Sequence, residues 1–170
     1  MGSTHAMPCF RTAVRVVAVF FFAMALLLSA GAWHPAGARS MSFADWLPMA
    51  QDGNPEAQCQ IGVDYLNGTG VSQDFARGMY WLVKSSDAGF PYARFVLADV
   101  FNRGYAGQPV NYEKVYYYAS LAAASTSLPE KFRDRAVKLR DSSAKQLSPA
   151  QVTRVQTMTA LAPLHNCGID

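Results

Sequence analysis

The amino-acid sequence predicts an all-α protein: an α/α solenoid of about two helix-turn-helix repeats, with a capping helix before them and a helical cap after them. Three observations carry this. The stretch from Met49 to Ser86 recurs at an offset of 36 residues, so that Gly53, Ala57, Tyr65 and Gly68 fall on Gly89, Ala93, Phe101 and Gly104. One extra residue then enters the loop, and Gly70, Asp74 and Trp81 fall on Gly107, Asn111 and Tyr118. A fixed period of this size marks a stacked repeat architecture. Within each copy, apolar and small residues return at three- and four-residue spacing, as on one buried face of a helix. No segment carries a strand signal.

The chain of 170 residues has room for a targeting segment and one compact domain or short array. Residues 1–38 read as a secretory signal: Arg11 and Arg15 are the basic region and Val16 to Ala30 the apolar run. Two small-x-small sites follow, and cleavage is expected after Ala38. The alternative is an uncleaved anchor, since the run nearly reaches the ~20 residues of a membrane span. Either way residues 40–170 lie outside the cytoplasm. The net charge is +3 and two of its cations sit in the leader, so the charge balance gives no reason to expect nucleic acid as a partner.

Residues 39–53 form the N-terminal cap, with a helix over 42–51, Asp45 as its N-cap and Pro48 in its first turn. Trp46 and Leu47 turn toward the first repeat. The repeats span 54–89 and 90–125. In the first, Asn54 caps and Pro55 takes the first helical position. Ala57, Ile61, Gly62 and Tyr65 share a face, and Gly62 implies close approach of the partner helix. Asn67 to Gly70 make the turn, and the second helix starts near Asp74. The second repeat echoes this with Ala93, Leu97, Ala98, Phe101, a glycine turn from Gly104 to Gly107, Val115 and Tyr118. Residues 126–162 close the array with helices at about 129–146 and 149–161. Ser127 to Glu130 and Ser148 to Gln151 are capping-box patterns. A tail covers 163–170.

No catalytic constellation appears. His5 and His34 lie in the leader and His165 in the tail, so neither a zinc site nor a histidine triad is available to the domain. Metal and cofactor are expected to be absent. Asp64, Asp74 and Asp99 are spread one per helix, as on solvated faces. After loss of Cys9 the thiols are Cys59 and Cys167, which either pair through a folded-back tail or stay separate.

Ala57, Gln58, Ile61, Gly62, Tyr65, Gly68, Gly70, Val71, Asp74 and Trp81 follow the pattern A-Q-x-x-[LI]-G-x-x-Y-x-x-G-x-G-V-x-x-D with an aromatic seven residues on. This resembles the Sel1-like repeat, a relative of the tetratricopeptide repeat. The second copy is weaker: Arg94, Ala98 and Gln108 replace the Gln, the Gly and the Val. The resemblance covers about 49–157 and implies a concave face lined by the first helix of each pair, the usual binding surface of such arrays. The residues it leaves to point there are Glu56, Cys59, Val63 and Asn67, then Tyr92, Phe95, Asp99, Asn102 and Arg103. Tyr92 and Phe95 either anchor a partner or lie beneath the closing helices.

Charge is uneven. Asp45, Asp52, Glu56, Asp64 and Asp74 span a stretch without Lys or Arg, whereas Lys131, Arg133, Arg135, Lys138, Arg140, Lys145 and Arg154 face only Asp134 and Asp141. A solvated basic face accounts for this, as would an acidic partner or membrane surface. The leader points to an exported protein, periplasmic or secreted, and the missing catalytic set to a non-catalytic one. The resemblance implies that it binds another protein as an adaptor, and it is expected to be monomeric. Membrane contact is expected only through an uncleaved leader. The alternatives are an immunity-type protein that plugs a secreted toxin, or weak β-lactam or peptidoglycan hydrolysis as in cysteine-rich relatives.

Overall fold

The computed structural model describes residues 41–162; the leader, His165, Cys167 and the tail expected at 163–170 lie outside them. The described residues form seven helices: α1 (Phe43–Gln51), α2 (Pro55–Asn67), α3 (Phe75–Asp87), α4 (Pro91–Arg103), α5 (Tyr112–Ala123), α6 (Glu130–Ala144) and α7 (Pro149–Leu161). Among the described residues there is no strand, only an isolated bridge between Tyr105 and Gln108. No described helix is long and apolar enough to cross a membrane.

Helices α2 and α3 pack as one pair and α4 and α5 as the next; α1 lies on α2, while α6 and α7 both lie on α5. The second helices of the two pairs start alike, whereas α4, with Phe90 at its N-cap, lacks the side-chain cap that Asn54 gives α2. Asn54, Asp74 and Asn111 each accept the backbone N–H three residues on, at 2.9, 2.9 and 3.0 Å. The N–H of Asp74 donates to the Tyr65 carbonyl, and that of Asn111 to the Phe101 carbonyl, so each second helix is pinned to the first at the same register. Gly68 ends α2 at φ +71, a conformation an L side chain rarely adopts, and its N–H returns to the Asp64 carbonyl.

Close packing of α2 on α3 rests on two glycines. A Cβ on Gly62 would stand 2.7 Å from Leu82 Cγ and 3.0 Å from the Gly78 carbonyl oxygen. A Cβ on Gly78 would stand 2.7 Å from Leu66 Cδ2 and 3.0 Å from the Gly62 carbonyl oxygen. Each helix thus uses the missing side chain of the other. The core continues through Cys59, Leu82, Ala93, Leu97, Phe101 and Val115, which joins the two pairs. At the other side of α2, Ala57, Ile61 and Tyr65 meet Phe43, Trp46 and Leu47 of α1. The Gln58 amide donates to the Ala50 carbonyl at 3.1 Å, tying α1 down.

Three local expectations are corrected. Ser42, not Asp45, is the N-cap of α1: Asp45 sits three residues in and accepts from the Ser42 N–H at 2.8 Å, as the return half of a capping box. Pro48 therefore falls inside α1 rather than in its first turn. Ser127 and Glu130 make no box, because Pro129 takes the N-cap position of α6 and Ser127 bonds the Ser125 hydroxyl instead. Ser148 and Gln151 do form theirs at the start of α7.

Candidate protein-binding face

The first helices, α2 and α4, carry the residues expected on the inner face, and the structure divides them. Glu56 and Asn67 are exposed at the two ends of α2, and Val63 between them is half-buried against the core. Cys59 is not on the face at all. It is 3% exposed in the core, where burial pushes its thiol pKa up to about 12, with the nearby Glu56 carboxylate adding to the rise. Among the described residues its thiol has no disulfide partner; Cys167, with which pairing is one expectation, lies outside them.

On α4 the closing helix decides the outcome. Leu128 and Ala136 bury Phe95, which is 5% exposed. The Phe132 ring of α6 stands 5.2 Å from Phe95 and 5.0 Å from Tyr92, edge-on to the latter. Phe95 is therefore core, and Tyr92 is the rim of that core, 36% exposed. Asp99 is engaged as well: Arg135 of α6 reaches its Oδ1 at 3.0 Å, and Arg103 of its own helix closes on Oδ2. The Arg135 guanidinium also lies 5.7 Å over the Phe95 ring. Asn102 is half-buried and Arg103 exposed. What stays open on the face is Glu56 and Asn67 with Arg103, flanked by Val63 and Asn102.

The basic run of α6 and α7 is partly used within the fold. Arg135 serves Asp99, Arg140 pairs with Asp141, and Arg154 with Glu113 of α5. Asp64 also departs from expectation, being 4% exposed rather than solvated. Burial raises its pKa, and the Gln60 amide, 2.9 Å from Oδ1, works against that rise.

The repeat pattern does not single out a second exposed surface. Met79, Tyr80, Val83 and Lys84 line a shallow depression of about 500 Å³ along the outer side of α3, and Tyr80 is 60% exposed. Their three- and four-residue spacing, out of phase with Gly78 and Leu82, was the available signal. Among the described residues, no group of three or more His, Cys, Asp or Glu side chains is placed to hold a metal ion.

The Sel1 repeat profile matches residues 55–90 and 91–127. No curated protein matches the chain. Among solved structures, the chain is similar to c5321, a protective antigen of uropathogenic Escherichia coli strains described as displaying an SLR fold. The TM-score is 0.59 at 22% identity, over 69% of this chain and 24% of that one. The chain thus spans about a quarter of that antigen's length, and the likeness is one of fold. A Sel1 repeat protein from Oxalobacter formigenes aligns over 67% of this chain and 96% of its own, at 22% identity and a TM-score of 0.45. Sel1 repeats are generally protein–protein interaction modules. The chain thus carries two tandem Sel1 repeats, which form the centre of its described, all-helical fold.

Proposed function

We propose that the chain is an exported, non-catalytic adaptor of the bacterial envelope, periplasmic or secreted and monomeric, whose partner is another protein. The partner docks on the part of the α2–α4 face that α6 leaves open. The observation that carries this is the one-sided covering of the face. α6 shuts over Phe95 and draws in Tyr92 and Asp99, while Glu56, Asn67 and Arg103 stay exposed. A fixed surface that presents an acid, an amide and a guanidinium suits protein recognition, where arginine is enriched among the residues that dominate binding. Export rests on the basic and apolar pattern of residues 1–38.

The test is affinity capture from an envelope extract with three full-length baits in detergent: the native chain, Glu56→Lys/Asn67→Lys/Arg103→Ala, and Tyr80→Ala. A protein held by the native chain and by Tyr80→Ala but lost by the triple variant supports the reading. Loss in Tyr80→Ala alone transfers the site to α3 and refutes the placement. Export is checked by the mature N-terminus, expected at Arg39; an unprocessed cytoplasmic chain refutes that part.

A further inference from the structure

A pocket of about 420 Å³ opens between the loop that joins α4 to α5 and the turn that joins α6 to α7. Its size falls within the range of small-molecule sites, about 300–1,000 Å³. The carboxylate at its rim is already answered. The Glu113 carboxylate takes the Gln151 amide at 2.8 Å and the Arg154 guanidinium, and the Lys114 ammonium lies 4.8 Å over the Phe101 ring. A cationic ligand therefore finds no spare carboxylate, whereas the exposed Lys114 ammonium, which has no acidic partner among the described residues, stays available as a donor. The rest of what a ligand meets is neutral. Tyr105 leans on Phe101 with ring centres 5.5 Å apart, and Tyr112 is 39% exposed. The exposed amides of Gln108 and Gln146 engage in no side-chain hydrogen bond among the described residues.

Aromatic faces beside neutral groups that both donate and accept are the complement of a molecule with C–H faces and a rim of hydroxyls. We propose that this pocket binds a neutral saccharide, with a sugar ring against Tyr112 and its hydroxyls on Gln108 and Gln146. The extra residue of the second repeat's loop enlarges the segment that holds Tyr105 and Gln108, which distinguishes this end of the second pair from the first. The inference stands apart from the protein-binding reading, since none of its residues is on the α2–α4 face.

The test is saturation-transfer NMR on the full chain, kept in a detergent without a sugar headgroup. The probes are chitotriose, cellotriose and maltotriose at millimolar concentration, with trialanine as the peptide comparison. At least one trisaccharide should receive saturation. Its affinity should fall about tenfold or more in Tyr112→Ala and in Gln108→Ala/Gln146→Ala, and should be unchanged in Tyr80→Ala. The altered side chains are exposed, and an unchanged thermal midpoint confirms that each variant is folded. Saturation of no trisaccharide, saturation of trialanine alone, or equal affinity in the pocket variants overturns the proposal.

Discussion

Replacing Gly62 with alanine tests the account of how the first helix pair is held. Alanine favours the helix by about 1 kcal/mol over glycine, so propensity alone predicts a more stable protein. Packing predicts the reverse. The new methyl would lie 2.7 Å from Leu82 Cγ and 3.1 Å from its Cδ2, which a rotation of Leu82 can relieve in part. It would also lie 3.0 Å from the Gly78 carbonyl oxygen, and backbone cannot rotate away. Relief needs α3 to move off α2 as a body, which disturbs the fit of Gly78 against Leu66 at the same joint. Overpacking costs about 1–3 kcal/mol, and the upper half of that range applies where backbone must shift. The net loss is then about 1–2 kcal/mol. With a urea slope of about 2 kcal/mol/M, the unfolding midpoint followed by far-UV circular dichroism should fall by about 0.5–1 M at unchanged slope. A midpoint equal to or above that of the native chain would refute the reasoning, and would mean that α2 and α3 are spaced by something other than their glycines.

Three further outcomes are expected. Phe132→Ala removes the ring that bridges Tyr92 and Phe95. It should cost about 2–4 kcal/mol and lower hydrogen-exchange protection in α6 more than in α2, whereas a uniform loss would contradict a local clamp. Cys59, in a Cys9→Ser/Cys167→Ser background, should ignore a disulfide reagent at pH 8 until the chain is unfolded; rapid labelling of the folded chain would show the core to be open. Because its folded pKa of about 12 lies above the ordinary 9.0, its share of stability is whole below pH 9 and is lost as pH climbs toward 12. Asp64→Asn should stabilise the chain at pH 7. The raised carboxyl pKa means that the charged form is penalised on folding, so the native chain loses this share as pH rises past 3.8. The gap between variant and native chain should therefore close below that pH in denaturant titrations, and a gap independent of pH would disprove the assignment.

The elements that sequence resolves here are those decided within a few residues. Asn54, Asp74 and Ser148 announce their helices because a cap needs only its own side chain and an N–H two or three residues on. Gly62 declares a close approach because nothing local favours glycine in a helix interior. Where two local signals compete, the reading slips. At α1 both Ser42 and Asp45 are good caps and box partners, and Pro48 biases the choice toward the wrong one. At α6 Pro129 displaces a pattern that is complete on paper. The binding face fails for a different reason. Whether Phe95 is anchor or core depends on Phe132, and whether Asp99 is free depends on Arg135, both on α6 and more than thirty residues along the chain. No periodicity in α4 encodes that meeting. The pocket at the second loop is equally remote from any motif, since Tyr112 and Gln146 come together only after α6 and α7 have folded onto α5.

The way α6 folds over the second pair also bears on how such a protein can grow or be lengthened by design. A further helix pair placed after α5 would need the very surface of Phe95 and Ala122 that Leu128, Phe132 and Ala136 cover. A pair placed before α2 would have to displace Trp46 and Leu47. The α3–α4 joint is different: there Leu82 meets Ala93 and Leu97, one repeat directly against the next. Copies spliced in at that joint, at the phase of Gly53 and Gly89, would reproduce an interface the chain already makes and leave both end helices on their own partners. Length in this protein is therefore a variable of its middle, and its two ends travel apart unchanged as repeats are added.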